Sequence, residues 1–172
     1  MRLSSDVLIG EAELERRVEA MASAIAADTP EGIILSVLAL MDGAFMFCAD
    51  LVRRLPMPVR LAFVPVVSIR RGGDPSRIVL PSDFPVDGAD LLVVEDILDT
   101  GQTLTALRAN LMSKRPDRLR LAVLLDKPAG RIAEIEPDYR GFTVEDRWVV
   151  GYGLDSDGLY RNLPYIAYTE GT

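Results

Sequence analysis

The sequence predicts a doubly wound, mostly parallel α/β sheet, on three observations. Its apolar residues fall into continuous runs, the runs alternate with segments of helical periodicity, and glycines and prolines stand between the two kinds of segment. Residues 11–27 set Leu14, Val18, Met21 and Ile25 four, three and four positions apart, one apolar stripe of an amphipathic helix with Glu13, Arg16, Arg17 and Glu19 on its other faces. Pro30 and Gly32 punctuate, and residues 33–40 follow as a strand apolar on both faces. Residues 45–55 read as a helix ended by Pro56 and Pro58, and the valine-rich residues 59–69 as a second strand with Pro65 as its irregularity. Residues 70–88, with Gly72, Gly73, Pro75, Pro81 and Pro85, form the one long irregular stretch, a length that in compact domains goes with function or mobility. Residues 91–94 read as a third strand, 103–113 as a helix and 119–125 as a fourth strand, and short segments from Phe142 to Tyr168 complete the chain.

A chain of 172 residues has room for one domain, 1–172, and its 49% hydrophobic and 26% charged residues exclude a disordered chain, a collagen-like repeat and a disulfide-dense miniprotein. The formal charge of −7, with no run of more than two adjacent basic residues, argues against binding duplex DNA or an anionic membrane. There is no histidine, so no Ser-His-Asp or Cys-His catalysis and no histidine metal site can be built. Cys48, alone and set in FMFCADL, reads as a buried thiol of a reducing compartment, with the cytoplasm as the default. The apolar run 33–41 is too short to span a bilayer, and MRLSSDVLIG does not read as a signal peptide.

The chemistry is concentrated in LLVVEDILDTGQTLTAL. In open parallel sheets ligands bind beyond the carboxyl ends of the strands, where helix N-termini also point. Here Glu95 and Asp96 directly follow the apolar run, then comes Asp99, then the turn Thr100-Gly101-Gln102-Thr103 opening a helix. Three carboxylates this close repel one another unless a cation or a hydroxyl-rich ligand shares the site. The turn offers backbone N–H groups, hydroxyls and a glycine, the parts of a phosphate cradle. Together they suit a phosphorylated sugar with free hydroxyls. Asp99 and Thr100 as mere helix caps are the plainer alternative, but one such residue would suffice for that.

This segment resembles the phosphoribosyl-pyrophosphate signature of the type I phosphoribosyltransferases. DVLIGEAELERRVEAMASAI, ILSVLALMDGAFMFCADLVRRL and DYRGFTVEDRWVVGYGLDSDGLYRNLPYIAY extend the likeness to the hypoxanthine-guanine phosphoribosyltransferases over nearly the whole chain. The resemblance implies the type I fold with a small hood formed by the chain ends (142–172 contributing to the purine-binding hood), a mobile active-site loop at 68–88, and purine salvage from 5-phosphoribosyl 1-pyrophosphate with magnesium. By the same resemblance Glu95 and Asp96 would hold the ribose hydroxyls, partly through magnesium, and Asp99 would act as general base or hydrogen-bond partner at N7 of the purine. Thr100, Gly101, Gln102 and Thr103 would bind the 5′-phosphate. Lys127 would contact the exocyclic O6; read from the residues alone it is a solvated loop lysine. Trp148 would stack on the purine, with core packing as its alternative, and the backbone of Val149 would read the base edge. Asp155 would bind a second magnesium or approach the 2-position of the base, and Arg161 would meet the pyrophosphate. The family's habit implies a homodimer or homotetramer.

Two positions depart from the family pattern. The pyrophosphate loop, usually Leu-Lys-Gly-Gly, reads Met41-Asp42-Gly43-Ala44, so charge is reversed at Asp42 beside Gly43. The mobile loop, usually opening Ser-Tyr, reads Ser68-Ile69-Arg70-Arg71. These departures support an alternative reading, a phosphoribosyl-pyrophosphate-binding sensor or regulator with little turnover. A phospho-acceptor signalling domain fits less well, because such folds draw their acidic cluster from separate strands and here all three carboxylates follow one.

Overall fold

The computed structural model describes residues 2–65 and 80–170. Eight strands and three α-helices follow one another as β1 (Arg2–Ile9), α1 (Glu11–Ala27), β2 (Leu35–Met41), α2 (Phe45–Val52), β3 (Val59–Pro65), β4 (Asp90–Leu98), α3 (Gln102–Met112), β5 (Arg118–Asp126), β6 (Tyr139–Thr143), β7 (Val149–Val150) and β8 (Ile166–Glu170). Strands β3-β2-β4-β5-β6 form a sheet whose every pairing is parallel. The three-stranded antiparallel sheet β1-β8-β7 is the hood, assembled from both ends of the chain.

The burial follows from the alternation of side chains along the strands. Leu35, Val37 and Ala39 of β2 pack with Leu14, Val18, Met21, Ala22 and Ile25 of α1, with Phe47, Cys48 and Leu51 of α2, and with Ile9, Val149 and Ile166 of the hood. Leu38 and Leu40 face the other way, against Leu91, Val93, Leu121 and Val123 and against Leu104, Leu107 and Leu111 of α3. Helices therefore cover both faces, which is why the strands read as unbroken apolar runs. Each of the larger side chains here, Leu, Val, Ile, Met and Phe, contributes about 1.5–3 kcal/mol on burial.

Several boundaries differ from the sequence reading. α2 ends at Val52, because Arg54 and Leu55 donate to Leu51 and Val52, three residues back, and tighten the chain before Pro56. β4 runs to Leu98 instead of stopping at Val94, since its ladder with β5 continues through Glu95↔Val123 and Leu98↔Asp126; Glu95 and Asp96 thus lie within the strand. β1 has no alternating pattern of its own, and its partner β8 comes from the far end of the chain. Phe142 and Thr143, expected in the hood segment, belong to β6 of the parallel sheet. Ser68, Ile69 and most of the 68–88 loop lie outside the described residues. Among those described, no helix is long and apolar enough to cross a membrane.

At the amino ends of the strands sits a buried polar cluster. Arg120 donates to Asp90 at 2.7 Å, Tyr139 at 3.0 Å and Thr29 at 3.1 Å, and Tyr139 donates in turn to Asp28 at 2.8 Å. Removing one partner of a buried ion pair leaves the other charge uncompensated. Asp90→Ala is expected to lower unfolding stability by about 3–5 kcal/mol in urea melts, while ligand affinity at the opposite ends of the strands stays within twofold. A loss below about 1 kcal/mol would mean that Tyr139 and Thr29 suffice to hold Arg120.

Candidate functional site

The strand order reverses between β2 and β4. β2 leads through α2 to β3 on one side, and β4 leads through α3 to β5 on the other, so the loops after β2 and β4 part and leave a crevice at the carboxyl ends of the strands. Its floor is Glu95 and Asp96. Both are half-buried, and Glu95 Oε2 is hidden from solvent with no hydrogen-bond partner among the described residues. Burial pushes the Glu95 carboxyl well above its ordinary range, and the neighbouring Asp96 adds to the rise. Burial likewise lifts Asp96 to about 6, against the opposing effects of the Ile97 N–H donated to it at 2.8 Å and of the Arg161 charge.

The loop after β2 lies directly on this floor. A Cβ on Gly43 would collide with the Asp96 carboxylate, and a Cβ on Gly153, whose φ is 101°, would collide with the Gly43 carbonyl. Only bare backbone fits between Asp96 and residue 153, and the Met41–Asp42 peptide at its start is cis. Asp42 is exposed, with Oδ2 3.8 Å from Arg161, which also pairs with Asp155 at 3.0 Å and donates to the Gly153 carbonyl at 2.6 Å. The two oxygens of Asp155 are engaged, one by Arg161 and the other by the Gly158 N–H at 2.7 Å.

Asp99 and the turn 100–103 form the next wall. The N-cap of α3 is Gly101, at φ 80°, and no side chain caps the helix, so the plain capping role for Asp99 and Thr100 drops away. Asp99 lies against Gly130, where an added side chain would collide with its carboxylate. Lys127, far from being a solvated loop residue, is 6% exposed; its Nζ donates to the Arg147 carbonyl at 2.6 Å and lies 3.9 Å from Asp146. Trp148, 40% exposed, is not a core residue; its indole N–H donates to the Asp155 carbonyl at 3.3 Å. Val149 beside it is buried and paired with Tyr168. Contacts therefore link Asp96, Gly43, Gly153, Arg161, Asp155 and Trp148 in turn, with Lys127 and Asp99 on the adjoining side.

Sequence reasoning missed Asp126 and Arg131. Asp126, with a side chain 1% exposed, pairs with Arg131 and with Arg140 Nε at 2.7 Å, and Arg131 reaches back to the Asp99 backbone. The available signal was an acidic residue ending an otherwise apolar run, LAVLLD, with an arginine five positions on. Among the described residues no three Asp, Glu or Cys side chains are clustered to hold a metal. A cation on Glu95 and Asp96 would need ligand oxygens to complete its shell.

The chain matches the family model described as a phosphoribosyl transferase domain over residues 9–157. It is 39% identical over 163 residues to the hypoxanthine-guanine phosphoribosyltransferase of Lactococcus lactis, covering 93% of this chain and 88% of that one. To the hypoxanthine phosphoribosyltransferase of Salmonella typhimurium it is 35% identical over 170 residues, 96% of each. It also matches, at 40% identity, a quarter (25%) of the bifunctional protein TilS/HprT of Listeria monocytogenes. A crystal structure of a hypoxanthine-guanine phosphoribosyltransferase from Bacillus anthracis superposes with a TM-score of 0.88 at 35% identity, covering 99% of both chains.

The raised carboxyls set a pH dependence. A carboxyl whose folded pKa exceeds its unfolded value stabilises the fold below the unfolded value and loses that contribution as pH rises through the folded one. For Asp96 the window runs from 3.8 to about 6. Without divalent cations, the melting temperature of Asp96→Asn should therefore gain on that of the wild type as pH rises from about 4 to 7. A difference that is constant or shrinks over this range would show that burial does not hold the proton on Asp96.

Proposed function

The chain belongs to the phosphoribosyltransferase family, and from that membership we propose that it transfers the phosphoribosyl group of 5-phosphoribosyl 1-pyrophosphate to hypoxanthine or guanine, with xanthine a further base to test. The products are the nucleoside 5′-monophosphate and pyrophosphate, the reaction of purine salvage. One observation carries this reading: the mutually repelling pair Glu95–Asp96, with the Glu95 Oε2 hidden and unpartnered among the described residues, lies in one crevice with the uncapped start of α3 at Gly101. That is a place for sugar hydroxyls beside a place for a phosphate.

In the reaction the purine nitrogen forms its bond to C1 of the sugar as the C1–O bond to pyrophosphate breaks, through a state of oxocarbenium character. Asp99 accepts the proton, or its hydrogen bond, at N7, and Lys127, held from two sides, donates to O6. Trp148 stacks on the ring from the solvent side, and the Val149 backbone reads the base edge. The amides and hydroxyls of residues 100–103 bind the 5′-phosphate, and Arg161, oriented by Asp155, meets the leaving pyrophosphate. A divalent cation, proposed as magnesium, fits Glu95 and Asp96, whose orphaned oxygen and burial-raised carboxyls it would relieve. Bound there, it would coordinate the ribose hydroxyls and neutralise charge on the pyrophosphate. A second cation at Asp155 would share oxygens already engaged by Arg161 and Gly158. A cytoplasmic homodimer or homotetramer completes the proposal, with Ser68 among the residues that the family resemblance assigns to substrate binding.

The deciding experiment supplies activated sugar, magnesium and each purine, and follows nucleotide and pyrophosphate. Binding of the activated sugar without turnover on any base would favour the sensor reading that Asp42 suggests. Within an active enzyme, Asp99→Asn should lower kcat by about 10²–10⁴-fold with the activated-sugar KM nearly unchanged; a raised KM at normal kcat would move Asp99 to the sugar. Asp42→Lys should lower the activated-sugar KM about tenfold and reduce the magnesium requirement, since the repulsion of two charges about 4 Å apart is about 4 kcal/mol at an effective dielectric of 20, before screening. Superimposed magnesium titrations would place Asp42 away from the leaving group.

A further inference from the structure

The carbonyls of residues 98–100 face away from the crevice, toward the segment that follows β5. Leu98 accepts from the Lys127 N–H at 2.9 Å and from Arg131 Nη2 at 3.3 Å, and Asp99 accepts from Arg131 Nε at 2.9 Å. Thr100 accepts from the N–H groups of Ile132 and Ala133, both at 3.0 Å. In a trans peptide the C=O of one residue and the N–H of the next point in opposite directions. Three carbonyls turned toward residues 127–133 therefore turn the N–H groups of Asp99, Thr100 and Gly101 the other way, into the crevice. Successive amides turned to one side make an anion-binding concavity.

Arg131 is the side chain that makes this arrangement. Nη1 donates to the Ile135 carbonyl at 2.6 Å, Nη2 also pairs with the buried Asp126, and the stem lies under Gly101, where a Cβ would be 3.1 Å from Arg131 Cδ. Asp126 is held on its other oxygen by Arg140. A planar guanidinium spreads five N–H donors over three nitrogens in a fixed fork, enough for the carbonyls of Leu98, Asp99 and Ile135 and the Asp126 carboxylate, whereas an ammonium has three donors on one nitrogen. We propose that Arg131, anchored by Asp126, is a positioning residue that aims the amides of residues 99 and 100 at the phosphate of the ligand. This rests on the assignment of that turn to the 5′-phosphate.

The test compares dissociation constants of a purine nucleoside and its 5′-monophosphate in the wild type and in Arg131→Lys, which keeps the charge beside Asp126 but loses the fork. The ratio of the two constants reads the phosphate contribution alone. Arg131→Lys should lower that ratio at least tenfold and leave nucleoside affinity within twofold. A merely structural arginine would lower the melting temperature and leave the ratio intact, and a ratio within twofold of wild type overturns the proposal. Should the lysine variant not fold, the wild type decides: the Arg131 Nε–H signal should be protected from exchange and should shift on binding the monophosphate but not the nucleoside, and an unprotected or unmoved signal overturns the proposal. If the wild type itself does not prefer the monophosphate, the phosphate assignment of the turn fails first.

Discussion

The register of β4 against β5, kept as far as Leu98↔Asp126, is the constraint on which the site depends. Because the two strands end level, the turn after one and the segment after the other leave the sheet side by side. Lys127 N–H can then bond to Leu98, and Arg131 can reach Asp99. One strand and the turn after it carry the acidic pair and the general-base candidate; the segment after the other carries the lysine and the arginine. A slip of one residue would turn Glu95 and Asp96 over to opposite faces of the sheet and separate Arg131 from its carbonyls.

Charge is distributed along the strands in a consistent way. At their amino ends the two terminal nitrogens of the buried Arg120 are engaged by Asp90, Thr29 and Tyr139, an arrangement that serves the fold. At their carboxyl ends Glu95 keeps a hidden oxygen without a partner among the described residues beside the Asp96 carboxyl, an arrangement that costs stability. Arg161 offsets part of that cost, but it is shared with Asp155 and approached by Asp42. The segment between the two glycine contacts, Gly43 on Asp96 and Gly153 on Gly43, has no space for a side chain that could soften the repulsion.

Much of this was legible in the chain. The stripe Leu14, Val18, Met21 and Ile25 is buried on α1 as its spacing requires, and the apolar runs became central parallel strands. The acidic pair and the turn at Gly101 lie where strand-to-helix connections in such sheets present ligands. Lys127 and Trp148 were not decidable from the residues alone: the lysine read as solvated and the tryptophan as either core or exposed, and the structure buries the lysine and exposes the tryptophan.

Local periodicity and residue chemistry thus determined the fold class, the helix faces and the position of the acidic turn, because those depend on side chains a few positions apart. The hood, the closed contact from Asp96 to Trp148 and the anchoring of the turn by Arg131 were decided only by tertiary structure. β1 needed a partner from the other end of the chain. Arg131 acts on a backbone 32 residues earlier in the sequence, and Tyr139 meets Asp28 across 111. No pattern within one strand or one helical turn encodes such pairings; they exist only once the parallel ladder has brought the strand ends level.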